Sequence, residues 1–582
     1  MLASTLADLG VGVVFYCAGS DSTVLLAALE RDGRIRCVEL LHPSAAVHAA
    51  QGYARTTGRV GTVLVSSGSG VGGAVPGLLD ALADSTPILC ISGQLSQEHL
   101  TTDAHQECDA LGLTRPVTKW NVQVREIDRV RPLVRKAFFV ALMGCPGPVL
   151  VDVPVNIQES SCAGVNYLPF VSIPSRRGRR IAAKHMARAA AEIQVAKRPV
   201  FYGGGGLSTS GVKACELFSQ LVRRTAAPCV LSMMGLGAFP SAERQCLGML
   251  GENGTLAANL AMHQADLIVC VGARFDALST CRREGFAPNA RVLHFDVDPA
   301  AINKVVRANL AYVGDAASLL TDLLEHLESR DLDPARLDSW WTHIEEWRSD
   351  DGRDELSQAS DGLTPQRVMA SLSGLLQQRG AVVCCDAGPH QLWAARYLRL
   401  AMPRQWLTSG AFGTKGFGLP AALGACLGTE GSPVVYVTSP SNVLVHIQEL
   451  ATASRYRLPI KIVLCGSEIQ DHEDDRGGRP SPMLDSLPDH RALAHAFGCP
   501  SWEVRELSRL NVAVDAWLAA PGPAVLDVRL APSTCGLTRV TRGGSHDQVC
   551  LRDGAPYQPA SPLVLGEPTP VRDRPPSWIA PA

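Results

Sequence analysis

At 582 residues the chain is long enough for several domains, each burying its own core. With 46% hydrophobic residues, 19% charged residues and a net charge of −2, it has the make-up of a globular protein and no field to attract a polyanion, which excludes nucleic acid as a partner. No apolar run reaches the ~20 residues of a membrane span and the N-terminus has no basic stretch leading into an apolar one, so neither membrane insertion nor export is expected.

Eighteen cysteines are scattered along the chain, with one adjacent pair, Cys384 and Cys385, and no C-x-x-C unit of the kind that grips zinc. Buried, reduced thiols in a cytoplasmic protein are the expectation.

In chain order, the apolar run Val60 to Val65 predicts a strand, the glycine-rich stretch after it a turn, Ala74 to Ala83 a helix and Pro87 to Ile91 the next strand. Further strands are predicted at Pro199 to Tyr202, Leu267 to Val271, Val382 to Asp386, Val434 to Val437 and Ile460 to Cys465. Apolar runs alternating with amphipathic ones imply an α/β chain of parallel sheets, in three Rossmann-like domains. Pro146-Gly-Pro-Val-Leu-Val-Asp-Val153 is echoed by Pro521-Gly-Pro-Ala-Val-Leu-Asp-Val528, so the first and third domains are expected to be related.

Composition places the first domain at 1–160, a linker containing the basic cluster Ser175 to Arg180 at 161–185, and the second domain at 186–327. A charged, Trp-containing linker follows at 328–361, then the third domain at 362–535 and a proline-rich tail at 536–582.

The motifs resemble those of one family over nearly the whole chain. They include Gln51-Gly-Tyr-Ala-Arg55, Ser66-Ser-Gly-Ser-Gly70, Asp80 to Pro87, Thr102-Asp-Ala-His-Gln-Glu107, Met234-Gly-Leu-Gly237, His294-Phe-Asp-Val-Asp298, Gly416-Phe-Gly-Leu-Pro-Ala-Ala422 and Glu449-Leu-Ala-Thr452. On these the chain resembles the acetolactate (acetohydroxyacid) synthase large subunit of the thiamine-diphosphate enzymes. The resemblance implies a pyrimidine-binding, a central FAD-binding and a diphosphate-binding domain, assembled as a homodimer or homotetramer that acts on a small molecule.

The departures from that pattern carry chemistry. The family places a glutamate where this chain has Pro43, which has no side-chain acid or acceptor. Glu39 lies four positions away and is not expected to replace it. The family also holds Mg²⁺ through an Asp and, about 27 residues on, an Asn. Here those positions are Pro440 and Ser467, the latter followed by Glu468, Asp471, Glu473, Asp474 and Asp475. Pro389 replaces a glutamine beside the diphosphate, and Lys415 a methionine under the cofactor rings. Loss of thiamine diphosphate and Mg²⁺ is therefore expected, with no metal site.

FAD is expected to be kept. Gly203, Gly204, Gly205 and Gly206 follow a predicted strand, where bare backbone can approach a ligand. The resemblance adds Ser232, Met233, Met234, Gly251, Gly254, Gly272, Arg274, Asp276, Asp296 and Asp315 to the flavin site. Candidate catalytic residues in the old cleft are Lys415, His105, His42, His390, Gln106 and Lys119, since imidazoles serve as acids or bases near neutrality and a lysine holds a carboxylate. The expected function is an FAD-binding enzyme repurposed away from thiamine chemistry, acting on a small carbonyl or carboxylate compound. Two alternatives stand beside it: a non-catalytic paralogue with a partner role, and a thiamine-diphosphate carboligase or decarboxylase of acetolactate synthase type with unusual cofactor anchoring.

Overall fold

Runs such as Thr62-Val-Leu-Val65 and Val434-Val-Tyr-Val-Thr438 are buried on both faces, and that suits only the interior strands of a sheet covered by helices on each side. The computed structural model describes residues 1–17, 19–161, 183–356, 362–429, 431–466, 487–530, 537–551 and 554–558. It contains three six-stranded parallel sheets, as the alternation of patterns implies.

The first sheet is built from Val13–Cys17, Arg36–Glu39, Gly61–Val65, Ile88–Gln94, Trp120–Gln123 and Val149–Pro154. Numbered along the chain, its strands lie in the order 2-1-3-4-6-5. The third sheet, from Val382–Cys385 to Ala524–Arg529, has the same order. The echoed Pro-Gly segments supply the equivalent strand of each, Val149–Pro154 and Ala524–Arg529. The central sheet, Pro199–Gly203 to Leu310–Val313, is ordered 3-2-1-4-5-6 instead.

Two segments read from composition as linker and tail are packed in part. Helix Asp338–Leu356 buries Trp340, Trp341, Ile344 and Trp347 in the core that includes the central domain. Charge density sets only its outer face, while tryptophans at helical spacing anchor the inner one. Beyond Leu537 a hairpin pairs Arg539–Val540 with Val549–Cys550 and hangs from the central domain, the Val540 amide donating to the Glu252 carbonyl at 2.8 Å. The Ser175 to Arg180 cluster lies outside the described residues.

What positions the site is the contact between the first and third domains. Helix Pro43–Thr57 crosses helix Gly418–Gly428 so closely that a methyl on Gly52 would overlap the Ala421 carbonyl, and one on Gly424 the Ala49 carbonyl. Glycine is required at both positions because backbone fills the space of a side chain. Arg55 ties the junction by donating to the Thr408 carbonyl at 2.5 Å and pairing with Asp84 at 2.9 Å. Among the described residues no helix is long and apolar enough to cross a membrane.

Candidate active site

In the third domain strands Trp406–Thr408, Val382–Cys385 and Val434–Thr438 lie side by side, and the turns after them form the floor of the candidate site. Asp386 follows Val382–Cys385, fully buried; it accepts from the Tyr436 hydroxyl, from Thr438 Oγ1 at 2.9 Å and from the Gly418 amide at 2.8 Å. Burial raises its pKa, and the three donors oppose that rise. His390, at the start of helix Pro389–Tyr397, is 2% exposed and its Nε2 has no partner. Burial pushes that imidazole down to about 3, so it is neutral.

The turn after Val434–Thr438 does not suit a metal. Ser439 Oγ is spent capping the short helix Pro440–Val443, and the Pro440 carbonyl accepts His490 Nε2 at 2.7 Å. Asn442 Nδ2 donates to the Ala387 carbonyl at 2.7 Å. The Pro440 ring packs beside Gly466, where a methyl would stand 3.4 Å from its Cγ. Magnesium requires oxygen ligands, and Asp386 is already engaged by three donors. Among the described residues no group of three or more His, Cys, Asp or Glu could hold a metal ion. Ser467 and the acidic run from Glu468 to Asp475 lie outside the described residues. The described residues therefore do not fit a side-chain-bound Mg²⁺ at this turn.

The first domain contributes the turn between strand Arg36–Glu39 and helix Pro43–Thr57. His42 caps that helix, its Nδ1 accepting the Ser44 amide at 3.2 Å. Pro43 takes the first helical position, where a missing N–H costs nothing, and packs against Gly73. Glu39 pairs with Arg455 at 2.8 Å on the surface and does not substitute for a carboxylate at 43. Opposite the turn stands Glu449, fully buried, accepting the Leu41 amide at 3.1 Å and Thr452 Oγ1 at 3.0 Å. Burial lifts its pKa to about 7. His446, one turn earlier, donates from Nδ1 to the Gly416 carbonyl at 2.8 Å, and its Nε2 lies 3.3 Å from Ser44 Oγ.

Of the catalytic residues expected from sequence, His42 and Lys415 come to this junction. The His42 ring centroid is 5.7 Å from that of His446, and Lys415 is exposed beside Gly416. His390 belongs to the third-domain floor. His105 is exposed in the loop before helix Ala110–Thr114, and Gln106 takes φ +68° there while its carbonyl accepts Ser67 Oγ at 2.9 Å. Lys119 serves elsewhere: its ammonium donates to the Val140 and Met143 carbonyls, each at 2.6 Å, at the end of helix Val130–Leu142. That is where a cation meets the unsatisfied carbonyls of a helix C-terminus.

Sequence reasoning missed Ser44, His48, His446 and Glu449 as chemical groups. Ser44 and His48 are one helical turn apart, a spacing that would have flagged a shared face.

In the central domain the glycines are filled by the chain itself. Methyls on Gly204 and Gly206 would overlap the Gly272–Ala273 backbone, one on Gly203 would press on Leu207, Leu231 and Phe218, and one on Gly205 would touch Met234. Gly251 meets the Leu278 carbonyl, and Gly254 the Met249 carbonyl. Ser232 caps the turn Met233–Gly235, Asp276 caps Ala277–Thr280, and Asp315 caps Ala316–Glu328 while accepting Ser210 Oγ at 2.7 Å. Asp296 accepts the Asp298 amide, and Arg274 is exposed.

Three family models match in order: the thiamine pyrophosphate enzyme N-terminal TPP binding domain over residues 1–113, the central domain over 186–323 and the C-terminal TPP binding domain over 386–528. The chain is 40% identical to the acetolactate synthase isozyme 3 large subunit of Escherichia coli (strain K12) over 514 residues, 86% of this chain and 88% of that one. It belongs to the acetolactate synthase large-subunit family of thiamine pyrophosphate enzymes. It is also 38% identical to the acetolactate synthase large subunit of Haemophilus influenzae, over 95% of this chain and 97% of that one. Against acetolactate synthase 1, chloroplastic, of Nicotiana tabacum it is 34% identical over 94% and 84% of the two chains.

These findings overturn two expectations. An FAD enzyme repurposed away from thiamine chemistry is not what the family points to, since both TPP binding domain models match and the relatives are acetolactate synthases throughout their length. FAD alone, with thiamine diphosphate and Mg²⁺ excluded, is likewise overturned. A few substituted anchoring positions weigh less than the whole-chain pattern that holds the domains.

Proposed function

We propose that the chain is a thiamine-diphosphate-dependent carboligase of acetolactate synthase type with unusual cofactor anchoring. The observation that carries this reading is the full-length likeness: 38% identity over 95% of this chain to an acetolactate synthase large subunit, with both TPP binding domain models matched. Acetolactate is, atom for atom, two molecules of pyruvate less one of carbon dioxide, so the substrate is a small 2-oxo acid. Thiamine diphosphate, when bound, supplies a carbon nucleophile for such chemistry.

The chain's own contribution is to shape the site. Asp386, held by Tyr436, Thr438 and Gly418, braces the turns of the third-domain floor. The neutral His390, with an unpartnered Nε2, offers that floor a hydrogen-bonding atom with no stake in internal structure. The anchoring is unusual because Pro440 presents no oxygen ligand from its side chain. A homodimer or homotetramer suits the exposed apolar side chains Leu41, Phe412 and Val445, which a second copy would cover. The absence of a disulfide among the described residues suits a reducing cytoplasm.

Purified chain incubated with thiamine diphosphate, Mg²⁺ and pyruvate should release carbon dioxide and acetolactate, and after denaturation should yield thiamine diphosphate near one per chain. A chain that neither retains thiamine diphosphate nor forms acetolactate overturns the proposal.

A further inference from the structure

At the junction of the first and third domains four groups stand in an order the carboligase reading does not use. His446 Nδ1 sits 2.8 Å from the Gly416 carbonyl, which can only accept, so Nδ1 carries the proton and Nε2 is left with a lone pair. Ser44 Oγ lies 3.3 Å from that Nε2, so the hydroxyl donates to it. Nucleophile, base and an acceptor that fixes the base's tautomer are thus aligned through His446. Ser44 occupies the first turn of helix Pro43–Thr57, just after strand Arg36–Glu39, a place that lifts a side chain to the end of a parallel sheet.

The fourth group is His48, one turn further along the same helix and 6.1 Å from His446 between ring centroids. Gln51 Oε1 accepts from Arg55 at 3.2 Å, which sets its amide so that Nε2 donates both to the Gly77 carbonyl at 3.2 Å and to His48 Nδ1 at 3.1 Å. The proton of the neutral His48 therefore sits on Nε2. That N–H is wholly buried and meets no acceptor. A buried donor left without a partner is costly.

We propose that Ser44 is an activated nucleophile, with His446 as its base, and that it takes small carboxylic esters. Ser44 and His446 are 5% and 6% exposed and stand beside the exposed His42, Leu41 and Val445, so the acyl group must be small. As Oγ bonds to the acyl carbon, its proton passes to His446 Nε2. The ester C–O bond then breaks and the departing alkoxide takes that proton. Water repeats the sequence on the acyl-serine, leaving a carboxylic acid, an alcohol and the free hydroxyl.

The charged and titratable groups around His446 are His42 and His48 from the first domain, Lys415 beside Gly416, and Glu449 on the next helix. Burial lowers the pKa of His446, the hydrogen bond to the Gly416 carbonyl partly opposes that, and the neighbouring His42 adds to the lowering, so the net direction favours the free base.

The test exposes the full native chain, without added cofactor, to an alkyl fluorophosphonate, whose P–F bond breaks as Oγ bonds to phosphorus. Tandem mass spectrometry should find one adduct, on Ser44, absent in Ser44→Ala. Its rate should rise with pH through a midpoint below the ordinary imidazole value of about 6.5. His446→Gln should slow labelling by about 100-fold or more. His446→Asn, which keeps a donor for the Gly416 carbonyl, should slow it equally and guards against misfolding. No Ser44 adduct on the native chain, or adducts formed at an unchanged rate in both folded His446 variants, overturns the proposal.

Discussion

Glu449 of the third domain accepts the backbone N–H of Leu41 of the first, 3.1 Å away across the junction where the two domains meet. The carboxyl is fully buried, and burial lifts its pKa from the ordinary 4.5 to about 7. Because the folded-state value is raised, folding favours the protonated form. The stabilisation is complete below about pH 4.5 and is lost as pH climbs through about 7. Glu449→Gln should flatten this dependence, gaining on the order of 2–3 kcal/mol relative to the native chain between pH 5 and pH 8. Urea unfolding at the two pH values checks it, and parallel curves for the two proteins would show that Glu449 does not titrate in this range.

Gly52→Ala should destabilise the chain by about 1–3 kcal/mol, because the new methyl has the Ala421 carbonyl in its place and both helices are pinned by their sheets. A thermal melt measures this. An unchanged melting temperature would mean that helices Pro43–Thr57 and Gly418–Gly428 can slide apart at little cost.

Lys119→Met should leave acetolactate formation intact and lower stability by about 1–3 kcal/mol, since it removes two charge-assisted hydrogen bonds from a helix end. Comparing kcat with the midpoint of urea unfolding separates the two effects. A collapse of kcat with unaltered stability would return Lys119 to the site.

Pro440→Asp should strengthen Mg²⁺-dependent retention of thiamine diphosphate. It adds a carboxylate at a turn whose other oxygens are occupied, and an acidic residue is well tolerated in a first helical turn. Equilibrium dialysis with and without Mg²⁺ reads the change. Retention that ignores both the metal and the substitution would place the diphosphate's counter-charge elsewhere.

Pro43→Glu should raise the rate of acetolactate formation about tenfold or more if proton transfer limits the native chain. The position is the first of the helix, next to the exposed His42, so a glutamate gains from the helix dipole there. Steady-state rates with pyruvate provide the check, an equal rate showing that the step is not limiting.

The fold was legible because its signals are local. Strands apolar on both faces, Gly- and Pro-marked turns and alternating helices specify parallel α/β sheets from neighbouring residues alone. Strand Gly61–Val65, helix Ser69–Ala83 and strand Ile88–Gln94 stand where Val60 to Ile91 predicts them, and the repeated Pro-Gly segments take equivalent places in two sheets. The family, too, was carried by motifs in linear order.

The candidate site was only half legible, because its contacts join residues with no local relation. Ser44 and His446 are 402 positions apart, and nothing in the pattern around either names the other. That the Lys119 ammonium meets the carbonyls ending helix Val130–Leu142 is likewise invisible in sequence. The glycine run from Gly203 to Gly206 is legible in sequence, but that Gly204 and Gly206 lie against the backbone of Gly272 and Ala273 is not. Sequence by itself determined the three sheets and the family, through short-range pattern. Tertiary structure decided which imidazole keeps a free lone pair, which carboxyl is buried and which N–H has no acceptor, because each depends on what distant segments bring within about 3 Å.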